Sequence, residues 1–183
     1  MVDLSEFESI SPYTDAEAAE ALSKLAEYPL LSHVSQQFFP EESPDFLKNL
    51  LKNIKTIDEF QVLVMQKFVR WVLEHTAKNF SYDGISNIDP EKKFLALSNH
   101  RDIILDPAIT QLVLHINGIP MTEIAVGDNL ISNEAVEWMI RSNRMIKVVR
   151  GVSARELYLS SQLLSRYIRL NITDQRNSIW LAQ

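Results

Sequence analysis

The chain of 183 residues contains no cysteine. That absence excludes disulfides, cysteine-ligated zinc, iron–sulfur clusters and thiol nucleophiles, and leaves oxygen, nitrogen and amine chemistry. Glycine is scarce, at four residues, while 46% of the chain is hydrophobic and 23% charged. Such a composition is neither fibrous nor disordered and is long enough to bury a substantial core. Positive charge is in deficit: 18 Lys and Arg against 24 Asp and Glu give −6. A general nucleic-acid binder needs clustered cations to displace counterions from phosphates, so no nucleic-acid partner is expected. Long apolar runs are missing too, with no stretch of about 18 residues that could span a bilayer. The opening Met1-Val2-Asp3-Leu4-Ser5-Glu6 lacks the basic start and apolar run of a signal peptide. A cytoplasmic chain, soluble or peripheral, is the expectation.

The charge is uneven along the sequence. Residues 1–90 hold 7 basic and 15 acidic residues, net −8, and residues 91–183 hold 11 and 9, net +2. The first half reads as helices. Thr14 with Glu17 makes a capping-box pattern before Ala18, Ala21, Leu22 and Leu25. Ser43-Pro44 offers a cap and a first-turn proline before Phe46, Leu47, Leu50, Leu51 and Ile54. Thr56 with Glu59 opens a third segment, in which Ile57, Phe60, Val64, Phe68, Trp71 and Val72 recur at helical spacing until near Asn79. Residues 1–80 are therefore expected to form a helical region. The Phe/Trp stripe suits a packed core face, with a membrane-facing or partner-binding surface as the alternative.

From Tyr82 the texture changes. Asp83-Gly84 and Asp89-Pro90 mark turns before the apolar run Phe94-Leu95-Ala96-Leu97-Ser98. A helix follows from Asp106-Pro107 to Asn117-Gly118, then a strand from Thr122 to Val126 and a helix capped by Asn133. Met145 to Val149 is a third strand, Ser153 with Glu156 boxes a long helix, and Ser178 to Ala182 is a fourth strand. This alternation predicts an α/β fold: an N-terminal helical segment, then over residues 81–183 a mostly parallel sheet with crossover helices.

In α/β sheets reactive groups gather beyond the carboxyl ends of the strands. Three such places stand out: Ser98-Asn99-His100-Arg101-Asp102 with Asp106, then Gly127-Asp128-Asn129, then Arg150-Gly151. An unperturbed imidazole is largely an uncharged base near neutral pH, and a carboxylate on its far nitrogen fixes its tautomer. Asp102 and Asp106 are both near enough to supply one. The plainer alternative has Asn99 and His100 bonding within a turn and Asp106 capping the next helix. Arg150-Gly151 before a capped helix suits an anion, because a guanidinium fork and free helix amides both favour phosphate. Its plainer alternative is a strand-end arginine reaching into solvent. Lys147, Arg144 and Arg141 add positive charge nearby. A base and an anion receptor on neighbouring strand ends would suit transfer or hydrolysis on a phosphate-bearing small molecule.

The run from Phe94 to Pro107 resembles the first signature of the glycerolipid acyltransferases, the glycerol-3-phosphate and 1-acylglycerol-3-phosphate acyltransferase family: a hydrophobic strand, Asn-His, then an Asp a few residues on. The resemblance implies transfer of a fatty acyl group from acyl carrier protein or acyl-CoA to a hydroxyl of a glycerophosphate or lysophospholipid, in phospholipid biosynthesis at a membrane surface. It implies His100 as general base and Asp106, or Asp102, as the residue that orients it. Met145-Ile146-Lys147-Val148-Val149-Arg150 resembles the second signature, in which the arginine holds the acceptor phosphate; Gly151 and Arg101 are expected beside it. No metal or organic cofactor is implied, only the thioester as co-substrate.

Three departures from the family pattern are visible. Five residues, rather than the usual four, separate His100 from Asp106. The glycine early in the second signature falls near Arg144, which implies a different backbone there. Ile179 to Gln183 resembles the strand that leads into a Glu-Gly phosphate signature, so a truncated, inactive form is one expectation. A non-catalytic module that binds acyl carrier protein or a membrane is the alternative function, and a hydrolase using His100 on water is a third.

Overall fold

The computed structural model describes residues 4–99 and 101–182. Two compact units are interleaved along the chain: Met1–Pro12, Ser81–Ile131 and Met145–Gln183 form one, and Tyr13–Phe80 with Ser132–Arg144 the other. Each unit draws nine basic and twelve acidic residues from the sequence, so each carries −3. The −8 and +2 of the two sequence halves therefore disappear on folding, and any cationic site must arise from local placement.

The helical unit contains α1 (Asp15–Leu25), α2 (Leu31–Phe38), α3 (Phe46–Asn53), α4 (Ile57–Phe60), α5 (Gln66–Thr76) and, from later in the chain, α7 (Glu134–Ser142). Both expected capping boxes form, Thr14 with Glu17 and Thr56 with Glu59. Ser43-Pro44 does not cap α3; the helix begins after Asp45, with no side-chain cap bond. α4 and α5 run together through a π-helical turn, Gln61–Met65, which the periodicity does not foretell. The Phe/Trp stripe is a packing face: Phe60 is buried, and the rings of Phe68 and Trp71 meet Phe38 edge-on at 4.7 and 4.8 Å.

Arg144 stands near the place where the second signature has its glycine. Its φ is +57°, the left-handed conformation that glycine adopts freely, at a cost of about 1–2 kcal/mol for an L-residue. The side chain offsets that cost within the same unit. Its Nε donates to Gln61 Oε1 at 2.9 Å and its guanidinium pairs with Asp58.

The α/β unit holds β1 (Leu95–Ser98), α6 (Leu105–Ile116), β2 (Glu123–Gly127), β3 (Met145–Val148), α8 (Ala154–Thr173) and β4 (Ile179–Ala182). The sheet order is β1-β4-β2-β3, and all three pairings are parallel, in agreement with the alternating pattern. Ile146, Ile179, Tyr167, Phe7 and Ile10 form its core. Each aliphatic side chain there contributes about 1.5–3 kcal/mol by leaving water. The N-terminal segment joins this unit at the free edge of β3, where Lys147 N–H donates to the Ile10 carbonyl at 2.9 Å.

Glu123 is buried at the start of β2, and the hydroxyl of Tyr167 and Nδ2 of Asn177 both donate to its carboxylate at 2.8 Å. Burial first, and the carboxylate second, push the tyrosine far above its ordinary value of 10.0. The folded state therefore holds this proton when the unfolded chain has lost it. Stability supplied by the pair is complete below pH 10 and declines above it. Tyr167→Phe is expected to cost about 1.5–3 kcal/mol at pH 8. The gap between wild type and variant in urea midpoint should narrow from pH 9 to 11; a constant gap would show that the tyrosine does not carry this linkage.

Candidate active site

His100 lies outside the described residues. The residues around it form a tight turn between β1 and α6. Asp106, in the first turn of α6, reaches back with Oδ2 to accept the backbone N–H of Arg101 at 2.7 Å and of Asp102 at 2.9 Å. Asp102 Oδ1 in turn accepts from the N–H groups of Ile104 and Leu105 at 2.9 and 2.7 Å, the second being the first residue of α6. The N-cap position of α6 is Ile104, which makes no side-chain cap bond, so Asp106 does not cap the helix. Two carboxylates, those of Asp102 and Asp106, thus bind the main chain of this turn.

Arg150 follows β3 and lines a cavity of about 250 Å³ with Lys147, Ile10, Leu157 and Leu164. Gly151 has φ +68°, a turn that only glycine makes without strain, and it swings the chain into α8. The start of α8 is less open than the sequence implies. Ser153 Oγ accepts from Glu156 N–H, while Glu156 Oε2 accepts from the Ser153 amide and hydroxyl at 3.1 and 2.6 Å. These bonds from Ser153, its hydroxyl first, hold the Glu156 carboxyl below the usual range. An anion is already seated where a phosphate was expected to find free amides.

Two other expectations change. Of the nearby cations, only Lys147 stays with Arg150. Arg141 lies over the Tyr13 ring at 4.2 Å, and Arg144 pairs with Asp58, both inside the helical unit. The strand ends are also not neighbours. β4 and β2 stand between β1 and β3, so the turn bearing Asp102 and Asp106 is roughly 14 Å from the end of β3 at ordinary strand spacing. The parallel pairing nonetheless puts both on the same end of the sheet.

Gly127-Asp128-Asn129 reads in the sequence as a strand end and carries no local sign of a role. Asp128 Oδ1 accepts the backbone N–H of Arg150 at 2.9 Å. A bond across 22 residues has no local signature. Among the described residues, no three His, Asp or Glu side chains are grouped as metal ligands, and no helix is long and apolar enough to cross a membrane.

Comparison with curated proteins and with solved structures finds no match. The family model described as Acyltransferase matches residues 79–181. That span is more than half of the chain and contains the Asp102/Asp106 turn, the whole of β2 and β3, and Arg150. On this match the chain belongs to the acyltransferase family.

Proposed function

We propose that the chain moves a fatty acyl group from a thioester, on acyl carrier protein or coenzyme A, to a hydroxyl of a glycerophosphate or lysophospholipid. His100 takes the hydroxyl proton, the oxygen attacks the thioester carbonyl carbon, the C–O bond forms as the C–S bond breaks, and the thiol leaves with the proton. Asp106 orients the imidazole, with Asp102 as the second choice, and Arg150 holds the acceptor phosphate with Gly151 and Arg101 nearby. The sequence of steps needs no metal or prosthetic group.

The observation that carries this reading is the Asp106 carboxylate folded back on the amides of Arg101 and Asp102, the two residues that follow His100, inside the acyltransferase match. Such a turn holds a carboxylate close along the chain to the proposed base. The small cavity beside Arg150 and Lys147, with aliphatic walls, supports a phosphate-bearing acceptor with apolar character. Val152, Leu157, Tyr158 and Leu159 are exposed around the start of α8, at 39%, 46%, 64% and 55%. Together with Arg155 they support contact with an anionic membrane surface, a peripheral place in phospholipid biosynthesis.

The test is consumption of an acyl thioester with and without glycerol 3-phosphate or a lysophospholipid. Thiol release that depends on the acceptor, with an ester product, supports transfer. Release at the same rate without acceptor makes the chain a hydrolase. No release, with acyl carrier protein still bound, makes it a binding module.

A further inference from the structure

We propose that the loop Gly127-Asp128-Asn129 is the seat of Arg150, with Asp128 as its positioning residue. This rests on the reading of Arg150 as the phosphate-holding side chain. The parallel ladder between β2 and β3 ends at the pair Gly127 and Val148, so Arg150 lies two residues beyond the last strand pairing. A backbone segment past the end of a ladder has no partner from the sheet itself. Asp128 supplies one. Its Oδ1 takes the Arg150 N–H at 2.9 Å and so extends the ladder by one bond made with a side chain. The bond uses the main chain of Arg150 and does not engage the guanidinium.

The side chain of Arg150 is seated as well. Its Cγ lies 3.5 Å from the point where a Cβ on Gly127 would stand, so the arginine stem lies against the end of β2. A Cβ at Gly127 would also collide with Asn129 Oδ1. Glycine at 127 thus lets Asn129 fold in and lets the Arg150 stem approach the neighbouring strand. Among the described residues β3 is the edge strand and β2 its neighbour in the sheet, so this contact sets the stem toward the sheet's interior. On the other side the positive φ of Gly151 turns the chain into α8. Arg150 is held between an anchored amide, a glycine platform and a glycine turn.

Two measurements on the full chain test the seat. In amide hydrogen exchange, the Arg150 amide should be protected in the wild type, lose protection in Asp128→Ala and keep it in Asp128→Asn, whose side-chain oxygen accepts the same bond. In titration with glycerol 3-phosphate, Asp128→Ala should raise Kd about tenfold, since a shift near 1 Å in a binding group has effects of that order or larger. Asp128→Asn should stay within about twofold, and Asp128→Ala with Arg150→Ala should be no weaker than Arg150→Ala alone. Unchanged exchange in Asp128→Ala overturns the seat. So does a Kd raised by Arg150→Ala but not by Asp128→Ala, or full additivity in the double variant. If Arg150→Ala leaves Kd unchanged, or the wild type fails to bind glycerol 3-phosphate, the phosphate role of Arg150 falls instead, and the exchange result alone decides the seat.

Discussion

His100→Ala is expected to lower acyl transfer by about 10²- to 10⁴-fold, the usual worth of a positioned general base. The loss should appear in kcat, with little change in KM for the thioester, because the imidazole acts on the proton in flight and not on the acyl donor. Asp106→Asn and Asp102→Asn should divide the two carboxylates. Each asparagine still offers an oxygen to the amides that the aspartate binds, so the turn keeps its hydrogen bonds. Only the variant at the imidazole's own partner should lose rate on the scale of His100→Ala; Asp106 is that residue on the present reading. Initial rates at saturating thioester, with unfolding midpoints as a control, make the comparison. Transfer by His100→Ala within about threefold of wild type would remove the base mechanism.

Arg150→Ala should raise KM for a phosphate-bearing acceptor roughly 10- to 100-fold, the equivalent of about 1.5–3 kcal/mol for a lost charge-assisted bond. KM for a phosphate-free acceptor such as a monoacylglycerol should hold steady, since that substrate never used the guanidinium. Arg150→Lys should recover part of the loss, for an ammonium keeps the charge but not the flat two-pronged fork. The separation of the two strand ends sharpens this test. With β4 and β2 between them, one small acceptor meets both sites only if the Arg150 side chain extends over the end of β2. A KM equal to wild type in Arg150→Ala would place the phosphate elsewhere on this end of the sheet.

What the sequence revealed follows the range of the interactions. The boxes at Thr14/Glu17, Thr56/Glu59 and Ser153/Glu156 were legible because each closes within three residues. The Asn117-Gly118 stop was legible for the same reason, with Gly118 at φ +70°. α2 was missed because it starts after Leu30 with no side-chain cap to announce it. Strand order, which separates the Asp106 turn from Arg150, is set by packing of the whole sheet and leaves no trace in spacing. Residue type at Arg144 does not foretell its left-handed backbone, φ +57°. Bonds to Gln61 and Asp58, more than eighty residues away, hold a conformation that its own side chain disfavours. Arg141 and Arg144 are near Arg150 in sequence, but the fold assigns them to the other unit.

The place of β4 in the sheet also orders assembly in time. β2 and β3 pair across a short crossover, whereas β1 pairs with β4, through pairs such as Leu95 with Ile179 that close a loop of more than eighty residues. Closing such a loop is entropically costly and slow compared with local pairing. β1 therefore waits, with Leu97 still 62% exposed even in the finished fold, until β4 has inserted beside β2. The turn bearing Asp102 and Asp106 follows β1, so the activity proposed for it should be gained late in refolding, in the same kinetic phase as burial of Trp180.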